Sequence, residues 1–153
     1  MDKVDRKLLD LLQQDCRQSI NELADKVSLS ASACHRRIKQ LEDKGVIRGY
    51  VAQLDGKKVG SLIEFFVEVS LSSQKQDALD EFEQAVRLVP NVLECHLMSG
   101  QADYLLRVGA ADTVQYERVY RKEIAQLPRV SRIQSSLVLR TVTQWSGYVV
   151  DPA

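Results

Sequence analysis

Between residues 31 and 41 the apolar positions are Ala31, Cys34, Ile38 and Leu41. Spacings of three, four and three lay them in one stripe along a helix. Ser30 stands where an N-cap belongs, and Gly45 where a left-handed residue would end the helix. The opposite face carries Ser32, Arg36, Lys39 and Gln40, flanked by His35 and Arg37, with no acid before Glu42. Upstream, Val4, Leu8, Leu11 and Leu12 predict a first helix over residues 2–15. Ser19-Ile20-Asn21-Glu22 has the capping-box form and opens a second helix, with Ile20, Leu23, Ala24 and Val27 facing inward. Ser28-Leu29 is then the turn, and Leu29 plugs the core between the helices. After Gly45, two β-prone runs around Arg48-Gly49 predict a tight hairpin across residues 46–54.

From residue 62 the period changes. The stretch 62–71 reads as a strand, alternating in its second half, and residues 77–89 as a helix stopped by Pro90. Residues 92–98 and 104–108 read as strands around the turn 99–103. A helix capped by Asp112 runs to Leu127 before Pro128, and residues 135–142 form the last strand. The order β-α-β-β-α-β is the split ferredoxin-like unit. The fold class is therefore α+β: a winged helix-turn-helix domain over 1–54, a linker over 55–61 and a ferredoxin-like domain over 62–153. An antiparallel sheet with both helices on one face leaves its other face wet unless a second subunit covers it. A homodimer follows, and twofold symmetry would supply two reading heads for two half-sites.

Composition narrows the function. The 153 residues carry no formal net charge, yet residues 1–54 hold ten Lys and Arg against eight acids, leaving about +2 there and −2 beyond. Neutrality argues against a protein that coats nucleic acid indiscriminately, not against a local reading head. Small residues at the start of the third helix let its backbone approach bases, while cations reach guanine edges and phosphates. Base reading is assigned to Ser32, Ala33, Arg36, Arg37 and Gln40, and phosphate anchoring to Ser30, His35, Lys39 and Arg48. The competing reading is an ordinary amphipathic helix with a solvated basic face.

Cys16, Cys34 and Cys95 are odd in number and widely spaced, so a disulfide framework is not expected and a reducing cytoplasm is. No apolar run approaches the length of a membrane span. Cys95-His96 lacks a second ligand cluster, so no metal is expected. Neither paired carboxylates nor a nucleophile–base pair nor a glycine-rich phosphate loop is visible, so no catalytic residue and no cofactor is assigned.

The chain resembles the Lrp/AsnC, or feast/famine, family of regulators along nearly its whole length. The resemblance rests on residues 5–9, 23–30, 34–42 and 45–50, then 94–100, 103–106 and 127–128. It implies a transcription regulator of double-stranded DNA that responds to an amino acid or related metabolite, with dimers assembling into tetramers or octamers. It also implies an effector site near the turn between the second and third strands, here Gly100, Gln101, Ala102 and Asp103, with Leu97 and Ser136 nearby. Many members carry an acid where this chain has Gln101, and some a bulky aromatic where it has Ser136. On physical grounds the turn could receive a carboxylate on its N–H groups, and Asp103 could pair with an ammonium. Equally, Gly100 could simply make the turn and Asp103 cap it. Outside this class stand an architectural DNA-binding protein and a stand-alone amino-acid sensor.

Overall fold

The computed structural model describes residues 1–150. Contacts divide the described residues into two units, one made of residues 1–52 and 142–150, the other of residues 53–141. The sequence reading placed residues 62–153 in the second unit; the last three lie outside the described residues, and residues 142–150 instead group with the helices. There the side-chain amide of Gln13 grips the backbone of Tyr148, donating to its carbonyl at 3.0 Å and accepting from its N–H at 2.7 Å. Gly147, at φ +118°, makes this approach possible, because a Cβ there would lie 2.5 Å from Gln13 Oε1.

The first unit holds α1 (Lys3–Gln14), α2 (Ile20–Lys26) and α3 (Ala31–Asp43). Each starts at a side-chain cap. Asp2 and Asp5 form a reciprocal capping box, as do Ser19 and Glu22, and the Ser30 hydroxyl accepts from the Ala33 N–H. Gly45 (φ +69°) ends α3, with the Val46 N–H bonded back to the Leu41 carbonyl, a Schellman-type closure. Leu8, Leu23, Ala24, Val27, Cys34 and Ile38 form the core, with Leu29 and Ile47 packed against it.

The expected hairpin is not formed. Residues 46–55 contain no strand, and Val51 and Leu54 are largely exposed. The favoured two-residue turns explain why: type I′ needs positive φ at both central residues and type II′ needs glycine first. Arg48 precedes the glycine and does not adopt positive φ.

The second unit contains β1 (Ile63–Leu71), α4 (Gln76–Val86), β2 (Val92–Leu97), β3 (Tyr104–Ala110), α5 (Thr113–Lys122) and β4 (Val130–Leu137). The sheet is antiparallel, in the order β2-β3-β1-β4, the arrangement expected of a ferredoxin-like unit. β1 alternates: Phe65, Val67, Val69 and Leu71 are buried against Phe82, Val86, Tyr116, Val119 and Ile124. Phe65 stacks on Tyr116 with ring centroids 3.5 Å apart, and the Tyr104 hydroxyl reaches Glu83 at 2.9 Å.

β4 begins five residues earlier than the sequence suggested. Arg129, at φ +63°, turns the chain straight from Pro128 into the strand, and Val130 already pairs with Leu71. The inward positions include Ile133, Ser135 and Leu137, and Ser135 accepts a hydrogen bond from the Tyr116 hydroxyl. A serine on the buried side hid the alternation.

Phe82 is fully buried at the centre of this core. Phe82→Ala should cost about 3–5 kcal/mol of unfolding free energy, measured by urea denaturation. A loss under about 1 kcal/mol would mean that the core can collapse around the gap.

Candidate DNA-reading and ligand-binding sites

The outward face of α3 follows from its buried stripe. With Cys34, Ile38 and Leu41 inside, Ser32, His35, Arg36, Lys39 and Gln40 are all exposed, and Ala33 is half-buried. Arg36 and Arg48 form no ion pair among the described residues, so both guanidinium groups are available to an anion. Lys39 is held by Asp43 at 3.0 Å and lies 4.0 Å from Glu42, exposed pairs that phosphate can displace at small cost. Ser30 spends its hydroxyl on the helix cap, within 3.2 Å of Ser32 Oγ. His35 and Lys39 also wall a groove of about 260 Å³ floored by Leu12, Ile20 and Ile38. Tyr50 closes it, donating to Glu42 at 3.0 Å; burial and that carboxylate push its phenol up to about 12.

Arg37 is set differently from its neighbour. Its Nη1 bridges Asp2 and Asp5 at 2.7 Å each, and its side chain is only 29% exposed. The same two carboxylates that cap α1 therefore fasten it to α3. An arginine so occupied is oriented toward the protein, so its geometry is that of a clamp rather than a base reader. Proximity in sequence hid this: one residue further along the helix rotates a side chain by about 100°.

In the second unit the turn between β2 and β3 is pinned to the end of β1. The Asp103 carboxylate accepts from the Leu71 N–H at 2.7 Å and from Gln74 at 2.8 Å, and the Asp103 N–H donates to Val69. Both oxygens of Asp103 thus serve the turn, the capping role that was open in the sequence. A Cβ on Gly100 would meet nothing within 4 Å, so the space above the turn is open.

Beside the turn lies a notch of about 30 Å³ lined by Glu68, Ser70, Gln101, Ala102, Arg132 and Gln134. Only Gln101 and Ala102 of the expected effector residues line it. Ser136 pairs with Phe66 farther along the same outer face. Leu97 does not join them: Cys95 packs inward on β2, and strand alternation puts Leu97 on that inner side. Glu68, Arg132 and Gln134 were not singled out from the sequence, because the misplaced start of β4 concealed which of its residues face outward with β1.

Comparison with known proteins agrees with both units. Residues 1–48 match the winged helix-turn-helix DNA-binding family and residues 64–146 the Lrp/AsnC ligand binding domain family. This chain is a member of the Lrp/AsnC family. It is 40% identical to the proline dehydrogenase transcriptional activator of Rhizobium radiobacter, over 94% of this chain and 92% of that protein. The crystal structure of an AsnC family transcriptional regulator from Agrobacterium tumefaciens superposes with a TM-score of 0.91 at 36% identity, covering 97% of this chain and 96% of that one. A transcriptional regulator of Neisseria meningitidis in complex with L-Met superposes with a TM-score of 0.89 at 36% identity, covering 94% and 93%. As a family member the chain is a DNA-binding transcriptional regulator with a ligand-binding domain. Among the described residues no helix is long and apolar enough to cross a membrane.

The clamp has a pH signature. The Asp5 backbone N–H and then the Arg37 guanidinium hold the Asp2 carboxyl below its ordinary value of 3.8. A carboxyl depressed on folding stabilises above its unfolded value, and that contribution is lost as pH falls through the folded one. The melting temperature of the helical unit should therefore fall below about pH 4, and Asp2→Asn should flatten that fall. Arg37→Ala should lower melting at neutral pH and weaken specific and non-specific DNA by the same factor. Lost sequence preference with unchanged melting would instead make Arg37 a reader.

Proposed function

We propose that this regulator reads its operator with the exposed face of α3 and answers to a free amino acid bound beside the β2–β3 turn. The observation that carries the first half is the acid-free outer edge of α3, Ser32, His35, Arg36 and Gln40, on a helix capped at both ends. Arg36 is the base reader, with Ser32, Ala33 and Gln40 setting how close the helix comes. Arg48 and Lys39 anchor phosphates, with His35 and the Ser30 end of the helix beside them. The second half is supported by the matched ligand-binding domain and by the L-Met held by the Neisseria relative. The reading is of a regulator without catalytic chemistry or cofactor, acting in the cytoplasm, where its three free cysteines would stay reduced.

The reading also includes a homodimer. The outer sheet face carries Phe66 at 43% exposure, beside a network in which Arg107 bridges Glu64 and Glu94. Apolar surface rimmed by satisfied charges suits a second copy of the same face, and twofold pairing would deliver two reading heads. Dimers would then assemble into the tetramers or octamers that the family resemblance implies.

Arg36→Ala should cost about 1–3 kcal/mol of operator binding and relax preference at one base position. Arg48→Ala should weaken all duplexes alike and reduce the salt slope by about one. Gel-shift titrations at several salt concentrations separate the two; unchanged operator affinity in both variants would remove α3 and its flank as the reading surface. Phe66→Glu should shift the protein to monomer by light scattering, and an unchanged mass would place the interface elsewhere.

A further inference from the structure

The segment after α3 carries Arg48 with no hairpin to support it, yet it is tied down at two points. Behind Gly45 the Val46 and Ile47 N–H groups both donate to the Leu41 carbonyl, at 2.9 and 3.1 Å, and the Ile47 side chain packs against the core of the helices. Three residues later the Tyr50 hydroxyl donates to Glu42 at 3.0 Å. Leu41 and Glu42 are consecutive in the last turn of α3, so the chain leaves the helix end at Ile47 and comes back to it at Tyr50. Gly49, at φ +156°, allows the return; a Cβ there would meet nothing within 4 Å, so glycine is needed for the backbone and not for space. Between the two ties stand only Arg48 and Gly49. Beyond them, residues 51–54 make no hydrogen bond among the described residues, and Val51 is 89% exposed.

We infer that Tyr50 is the positioning residue for Arg48: its hydroxyl, bonded to Glu42, fixes the backbone there so that the guanidinium is presented to a DNA phosphate beside the reading helix. This rests on the reading of Arg48 as a phosphate anchor given above, and names the group that holds the anchor in place. An arginine on a free loop loses backbone freedom on meeting its phosphate, which weakens the contact. A loop closed to two residues has lost most of that freedom beforehand. Neither tie occupies the guanidinium, since Arg48 forms no ion pair among the described residues.

The Glu42 carboxylate takes the phenol and stands 4.0 Å from Lys39. Burial and that carboxylate push the phenol up to about 12, so Tyr50 remains a donor wherever DNA binding is measured. Its ring lines the groove with Leu12, Ile20 and Ile38. Tyr50→Phe therefore removes the tie and keeps the ring in place.

Phosphate contacts are indifferent to sequence, so the full chain is titrated with a mixed-sequence duplex by fluorescence anisotropy at several salt concentrations. Tyr50→Phe should weaken binding about threefold to tenfold, the size of one lost hydrogen bond, with an unchanged melting temperature. In the Arg48→Ala background the same change should do nothing further, because no guanidinium is left to hold. Glu42→Gln and Glu42→Ala remove the same charge, but only the amide can still accept from Tyr50. The Gln variant should therefore bind severalfold tighter than the Ala variant, and that gap should close when Tyr50→Phe or Arg48→Ala is added. Should Tyr50→Phe lower the melting temperature, the Gln and Ala comparison carries the test on its own. Equal losses from Tyr50→Phe with and without Arg48 would make the hydroxyl a DNA contact in its own right and overturn the positioning role. Weakening by Arg48→Ala with Tyr50→Phe silent would overturn it too, leaving Arg48 an anchor that needs no tie. Arg48→Ala without effect would overturn both the anchor and its positioning.

Discussion

The pleat of β1 is the constraint on which the sensing unit turns. Hydrogen-bonded to β3 on one edge and β4 on the other, this strand cannot slip by one residue without sending Phe65, Val67 and Val69 into solvent. That cost fixes the register of both neighbours at once. It also fixes, as an unavoidable complement, which residues stand on the opposite face: Glu64, Phe66, Glu68 and Ser70 from β1, Arg107 from β3, Arg132 and Gln134 from β4. The apolar half of the alternation makes a core under α4 and α5. The other half makes a surface with charged and polar groups on it, so the same rule that stabilises the unit also decides which side chains are left to that face.

A similar division of labour operates on α3, where the period is 3.6 rather than two. Arg36 and Arg37 are adjacent in sequence and identical in chemistry, yet one projects to solvent and the other bridges two carboxylates of the α1 capping box. Asp2 and Asp5 each do two jobs: they satisfy orphan N–H groups at the start of α1, and they hold α3 against it. A helix that reads bases, as proposed for α3, must keep its tilt when they pull on it. An exposed ion pair alone contributes little to that, but here the pair is tied to a helix cap, and the buried packing of Leu8 against Leu23 and Cys34 lies beneath. Rigidity comes from the combination.

How much of this was legible before the structure depended on whether a residue's role is local. Caps at Ser19, Ser30 and Asp112 and the stop at Gly45 are decided by neighbours within four residues, and all are found where the sequence put them. The buried stripe of α3 was equally plain. The hairpin over 46–54 was misread because the β-prone runs suggested paired strands, whereas the tight turn between them needs a positive φ that Arg48 does not adopt. The last strand was misplaced because its inward positions include Ser135, which is tolerated there only through a hydrogen bond to Tyr116, nineteen residues away. Arg37 and Asp103 each find partners about thirty residues distant or in another element. Such partnerships leave no periodic trace. The notch residues Glu68 and Arg132 are the extreme case, since their proximity exists only once the β1–β4 register is known.

A site that is shallow in one copy has a thermodynamic consequence. A ligand can shift an equilibrium between assemblies only by the difference in its affinity for them. A fully enclosed pocket within a single protomer would bind equally in every assembly and shift nothing, however tightly it held its ligand. A notch of about 30 Å³ in one copy would leave most of a ligand uncovered, so part of its binding energy would depend on a neighbouring copy, and affinity on assembly. Reciprocity then requires that ligand binding alter the assembly by the same factor. In the dimer proposed above, each copy would carry its own DNA-binding unit, so a ligand that changed the assembly would change how many such units act together. Two heads bind one operator well only when their separation matches its half-sites. Incompleteness of the single-copy site is thus what would allow an amino acid to control DNA binding without touching the DNA-binding unit.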